Sequence, residues 1–136
     1  MRILALDHGS ARCGCAVSDP TGTLVRPLSA IVKPDTQPGL EQIQDLIEEL
    51  SPRLVLVGLP ILESGEEGSQ AAAARSFVGR LAARAEVPVE LYDERFTTRQ
   101  ARESQSYGAG ADRDSLAAAH LLEAYLHAAS ASEEPS

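Results

Sequence analysis

The sequence predicts an α/β domain built on a mixed five-stranded sheet, and three observations carry that prediction. The first 32 residues read as three short apolar stretches joined by tight links. The rest alternates helical periodicity with two strand-like runs, RLVLVG at 53–58 and VPVELY at 87–92. Tight links make the first three strands an antiparallel meander, whereas strands separated by helices run parallel through right-handed crossovers. The order β-β-β-α-β-α-β-α-α then gives a sheet ordered 3-2-1-4-5, strand 2 antiparallel, flanked by helices.

Each element has its own signal. Ile3–Leu6 is an apolar strand followed at once by Asp7, and Cys13–Ser18 comes after a short Gly-containing link. Asp19-Pro20-Thr21-Gly22 is a turn. Thr23–Val32 is the third strand, and Pro27, which cannot donate to a ladder, puts it at an edge or a bulge. Leu40, Ile43, Leu46, Ile47 and Leu50 recur at helical spacing, with Pro38 suited to the first turn. Arg53–Gly58 is a continuous run of the kind covered on both faces. Residues 61–68 form a polar loop, after which Ser69 can cap a helix with Ala74, Phe77, Val78, Leu81, Ala82 and Ala85 as its apolar stripe. Val87–Tyr92 is the fifth strand, with Asp93-Glu94-Arg95 at its end. Thr97 or Thr98 can cap a short helix to about Ser106, Tyr107–Ala111 is a break, and a last helix runs from about Asp112 to His127. Residues 1–129 are read as one domain and 130–136 as a disordered tail.

Composition narrows the classes. With 136 residues, 43% hydrophobic and 24% charged, the chain needs no staples to bury a core. Its two cysteines, Cys13 and Cys15, cannot make a zinc site alone and are read as small half-buried hydrophobes. The sequence starts on a strand with no export signal visible, and no apolar run approaches the ~20 residues that span a bilayer. A cytoplasmic location and no membrane partner are expected. The net charge of −8 counts against a generic nucleic-acid binder, although eleven of the twelve basic residues are Arg, the better fork for phosphate. Charge is also uneven: residues 35–68 hold eight acids against Arg53 alone, while 69–113 hold seven arginines against six acids.

The informative residue is Asp7. A carboxylate ending a buried strand is costly unless paired, hydrogen-bonded or bound to metal. In the expected topology the parallel strands end at one edge, so Asp7 and Glu94 share it, and Asp112 or Asp114 opens the last helix nearby. Carboxylates gathered in one crevice repel, and a hard divalent cation removes that conflict. Two such ions clamp the attacking and leaving oxygens of a phosphodiester displacement. Taken singly, each acid also suits a strand end or a helix cap.

Four stretches then resemble one family: LALDHGSARCGCAVSDP at 4–20, LVLVGLP at 54–60, VELYDERFTT at 89–98 and DSLAAAHLLEAYL at 114–126. Together they are similar to the YqgF family, also called RuvX, of the RNase H-like superfamily. The resemblance implies an RNase H-like fold and a hydrolase acting on phosphodiester bonds, with Asp7, Glu94 and Asp114 as the acidic catalytic and metal site for Mg²⁺ or Mn²⁺, expected as two ions. Asp112 lies outside the motif and reverts to a helix N-cap. The implied substrate is structured RNA, precursor 16S rRNA trimmed at its 5′ end in ribosome biogenesis, or branched DNA such as a Holliday junction. Gly9, Arg12, Arg95, Thr97 and Thr98 are candidate substrate-binding residues. Each has a plainer reading: Gly9 as a tight turn, Arg12 as a solvated hairpin residue, Thr97 or Thr98 as a cap. His8 is read as a loop residue rather than a proton shuttle, His120 as packed, and His127 as near the chain's frayed end. The segment YGAGADRD offers only Arg113 where the family usually carries several basic residues, and the loop after GLP carries Glu63, Glu66 and Glu67.

Two rivals stand beside the nuclease: a ribosome-assembly binding module with ribosomal or processing proteins as partners, and a phosphate-binding domain of the actin and sugar-kinase type. The latter needs a second domain. Either a monomer or a homodimer fits; junction cutting calls for the dimer.

Overall fold

The computed structural model describes residues 1–97, 107 and 112–133. Its five strands are β1 (Ile3–His8), β2 (Arg12–Ser18), β3 (Val25–Val32), β4 (Leu54–Leu59) and β5 (Val89–Asp93), and its helices are α1 (Gln37–Leu50), α2 (Ser69–Ala82) and α3 (Arg113–Glu133). The strands form one sheet in the order β3-β2-β1-β4-β5, with β1–β2 and β2–β3 antiparallel and β1–β4 and β4–β5 parallel. This is the predicted arrangement.

Alternation along the strands sorts the core into two layers. Leu4, Leu6, Cys13, Cys15, Val55 and Val57 face Leu40, Ile43 and Ile47 of α1 and Phe77 and Leu81 of α2. Ile3, Ala5, Ala16, Leu54 and Leu56 face Ala118, Ala119, Leu121 and Leu122 of α3. Every residue of β4 is buried, as its unbroken apolar run requires. Each such Leu, Ile or Phe stabilises the fold by about 1.5–3 kcal/mol on leaving water. The cysteines are fully buried rather than half-buried, and both are free thiols on the α1/α2 side.

Helix α1 starts on Thr36, whose hydroxyl accepts from the Gly39 amide at 3.2 Å, a cap worth about 1 kcal/mol. Several boundaries differ from expectation. β1 extends through Asp7 and His8, which pair with Gly14 and Cys13. β5 starts at Val89 because Pro88 joins the ladder only as an acceptor, for the Val55 amide at 2.9 Å. Gly68, not Ser69, is the N-cap of α2, and Ser69 is its first helical residue. α3 runs six residues past His127, to Glu133, since no Gly or Pro interrupts its Ala-rich sequence. Glu94–Phe96 forms a 3-10 turn directly after β5. Thr98 and the rest of the short helix expected up to Ser106 lie outside the described residues. No helix among the described residues is long and apolar enough to cross a membrane.

Candidate active site

The edge of the sheet at the ends of β1, β4 and β5 opens into a crevice of about 710 Å³. Asp7, Gly9, Ser10, Pro60, Glu94 and Thr97 line it, with Ala117 and Leu121 of α3 as its apolar wall. Asp7 points there because it follows Ile3 and Ala5 in the alternation toward α3. Glu94 arrives from the 3-10 turn, which Asp93 caps by accepting from the Arg95 amide at 2.8 Å. Gly58 makes room for it: a Cβ there would lie 2.7 Å from Glu94 Oε1 and 3.3 Å from Leu121 Cδ2.

The two carboxyls lie close enough for each to shift the other's proton affinity. Burial, then the charge of Asp7, pushes Glu94 up to about 7. Burial also raises Asp7; the Glu94 side chain pulls it back, and the charge of Asp114 pushes it up again. In metal-free protein the pair therefore holds on to one proton up to about neutral pH. Two hard oxygen donors held together against their own repulsion suit a divalent cation.

Asp114 stands beside this pair, and its carboxylate is engaged: Arg12 Nη1 lies 3.3 Å from its Oδ2. Both side chains are largely exposed, so the contact contributes no more than about 0–1 kcal/mol and exchanges readily. Among the described residues, no three His, Cys, Asp or Glu side chains are gathered closely enough to enclose an ion as they stand. The first turn of α3 sits on β2 through Gly14, where a Cβ would be 1.8 Å from the Asp114 carbonyl oxygen. The Cys15 amide donates to Ser115 Oγ at 3.0 Å, beside the register shift between β2 and β3. Asp112 is the expected N-cap, accepting from the Asp114 amide at 3.0 Å, and its other oxygen accepts from the Ala30 amide of β3 at 3.0 Å.

The remaining candidates divide. Gly9 serves the turn, where a Cβ would come within 2.8 Å of the Arg12 carbonyl oxygen. Arg95 forks onto Asp93, with Nη2 to Oδ2 at 2.7 Å. Thr97 lines the crevice and its amide donates to the Glu94 carbonyl at 3.0 Å. His8 is not a loop residue. As the neighbour of Asp7 in a strand it points to the opposite face, 3% exposed, with its ring stacked on Phe77 at 4.6 Å and Nε2 2.8 Å from Asp35. Asp35 in turn pairs with Arg80 of α2 at 2.6 Å. His120 packs beside Glu123 and Tyr107, and His127 is exposed on α3, inside the helix. In the 61–68 loop, Glu67 is neutralised by a two-pronged contact from Arg75 at 2.6 and 2.8 Å. The residues that seat the acids (Gly58, Gly14 and Ser115) escaped sequence reading; a glycine within a buried strand beside an acidic strand end was the available signal.

A family model described as "RuvX: Holliday junction resolvase" matches residues 1–128. A protein of Koribacter versatilis is 38% identical over 133 residues, covering 92% of this chain and 86% of its own. One of Chloroflexus aggregans is 39% identical over 132 residues, covering 93% of each. Both carry the name "Putative pre-16S rRNA nuclease". Among solved structures, Thermus thermophilus RuvC in complex with a Holliday junction substrate superposes with a TM-score of 0.65 at 18% identity, covering 100% of this chain and 99% of that one. At that identity the likeness is one of fold, and the fold is RNase H-like.

Proposed function

This chain belongs to the RuvX family, and from that premise we propose that it is a metal-dependent nuclease that hydrolyses phosphodiester bonds in structured RNA, with the 5′ end of precursor 16S rRNA as its target and the cytoplasm as its place of action. The observation that carries the reading is the half-buried, mutually perturbed carboxyl pair Asp7–Glu94 lining an open crevice. Relatives named for pre-16S rRNA at 38–39% identity favour the RNA substrate.

Asp7, Glu94 and Asp114 would hold one or two Mg²⁺ or Mn²⁺ ions. When bound, such ions supply a water of lowered pKa and neutralise charge at phosphorus. The chain's own residues do the rest. Arg12 leaves Asp114 for a phosphate oxygen, exchanging one anion for another and freeing the Asp114 carboxylate. Glu94 would release its proton to solvent water, leaving Asp7 and Glu94 both as carboxylate oxygen donors. Thr97 holds the backbone of the turn that carries Glu94, and Arg95, fixed by Asp93, keeps that turn closed. Ala117 and Leu121 keep one wall dry.

The test is cleavage of a precursor 16S rRNA fragment by purified protein in Mg²⁺ and in Mn²⁺. Asp7→Asn should lower the rate by about 10²–10³-fold, the scale on which one electrostatic group of a catalytic centre is felt. Equal inertness of wild type and variant in both metals would overturn the reading. A four-way DNA junction is the second substrate to offer, because the matching family is described as a Holliday junction resolvase. Preference for the junction over the rRNA fragment would reassign the substrate and leave the chemistry.

A further inference from the structure

The chain has no Trp, three Tyr and two Phe, and three of these five rings sit together. Phe96, Tyr92 and Tyr125 form a row on the α3 side of the sheet: Phe96 meets Tyr92 edge-on at 5.7 Å, and Tyr92 meets Tyr125 edge-on at 5.5 Å. The inner two are partly buried against the α3-side core. Phe96, the outer member, is 58% exposed. An exposed apolar side chain is ordinary in isolation. This one lies in the same short turn as Glu94, between Arg95 and crevice-lining Thr97, with Tyr92 against it in a T-shaped contact and more than half of its surface open to solvent. Met1, Leu24, Val32 and Leu62, the other exposed large apolar residues among those described, have no aromatic face to offer.

We propose that Phe96 is a stacking platform for an unpaired nucleobase of the RNA strand whose phosphate enters the Asp7–Glu94 crevice. The proposal rests on the nuclease reading for the identity of that strand. Its physical basis is simple. Every base has a π-face, so a solvent-open ring held by a neighbouring aromatic beside a phosphate site gains a partner from a single strand. A duplex keeps its bases stacked on each other and offers none. The platform therefore selects substrates with an unpaired nucleotide at the cut, and does so where the net charge of −8 provides little general attraction to RNA.

The absence of Trp makes the test direct. Phe96→Trp places a single indole at the site, and a short single-stranded RNA should quench its emission while a duplex of the same sequence should not. Phe96→Ala and Phe96→Leu, in the full chain, should weaken binding of the single strand by roughly 5- to 150-fold, the range found for one lost base stack. Duplex binding should change less than about twofold, and the thermal midpoint should stay put because the ring is exposed. Leu is the decisive variant, since it keeps apolar bulk and removes the π-face. Wild-type affinity in the Leu variant, equal losses for single strand and duplex, no binding of single-stranded RNA by wild type, or an indole blind to saturating RNA would each overturn the platform. Cleavage is read separately. An active enzyme indifferent to Phe96 defeats the platform alone, whereas an inert protein that still binds through Phe96 defeats the nuclease and spares the platform.

Discussion

Between about pH 4.5 and 7 the folded chain carries a proton at Glu94 that the unfolded chain has already lost. The folded state thus binds more protons in that window, and metal-free stability falls as pH rises through it. Asp7, raised by burial, acts in the same direction. Urea midpoints measured at about pH 5 and about pH 8 should therefore differ in favour of the lower pH, and Glu94→Gln should shrink the difference. An undiminished slope in the variant would place the proton elsewhere. Gly58→Ala probes the same carboxyl by shape. The added methyl meets the free end of the Glu94 side chain at 2.7 Å, a group that can swing aside while the strand stays put. The expected outcome is a loss of activity of about 10–100-fold, typical of displaced metal-site support, with little change in thermal midpoint.

At the scale of elements, the placement of Asp114 depends on how α3 lands on the sheet. Three contacts set that landing: the missing side chain of Gly14, the Ser115 hydroxyl under the Cys15 amide, and Asp112 bridging to β3. Gly14→Ala drives a methyl into the helix backbone, so the helix must lift as a body and the buried Ser115 contact stretches with it. Denaturant unfolding should show a loss of about 1–3 kcal/mol, the usual cost of overpacking. Activity should drop as well, because Asp114 moves away from Asp7. On the other face, the His8–Asp35–Arg80 chain ties the end of β1 to the segment before α1 and to α2. The strand end that presents Asp7 is thereby clamped from behind.

For the molecule as a whole, the metal site proposed at Asp7 and Glu94 makes a divalent cation an expected stabilising ligand of the folded state, because only folding brings the two carboxyls together. At about pH 8, Mn²⁺ at 100 times its dissociation constant should add about 2.7 kcal/mol to stability, read as a rise in thermal midpoint that Asp7→Asn abolishes. A midpoint unmoved by Mn²⁺ would argue against a metal centre at this edge. Sheet order and strand direction were legible along the chain because alternation, crossover handedness and short links leave few topologies, and RLVLVG announces a strand buried on both sides. Asp7 and Glu94 were legible for the same reason, as charges at the ends of parallel strands. What the local pattern determined was thus the topology and the placement of Asp7 and Glu94 at one edge of the sheet. Only the folded structure decided which face His8 takes, that Asp114 is held by Arg12, and that Gly58 and Gly14 are the spaces into which Glu94 and α3 fit. Periodicity is a property of neighbours in the chain, whereas clearance and charge pairing arise between segments that meet only once the layers have packed.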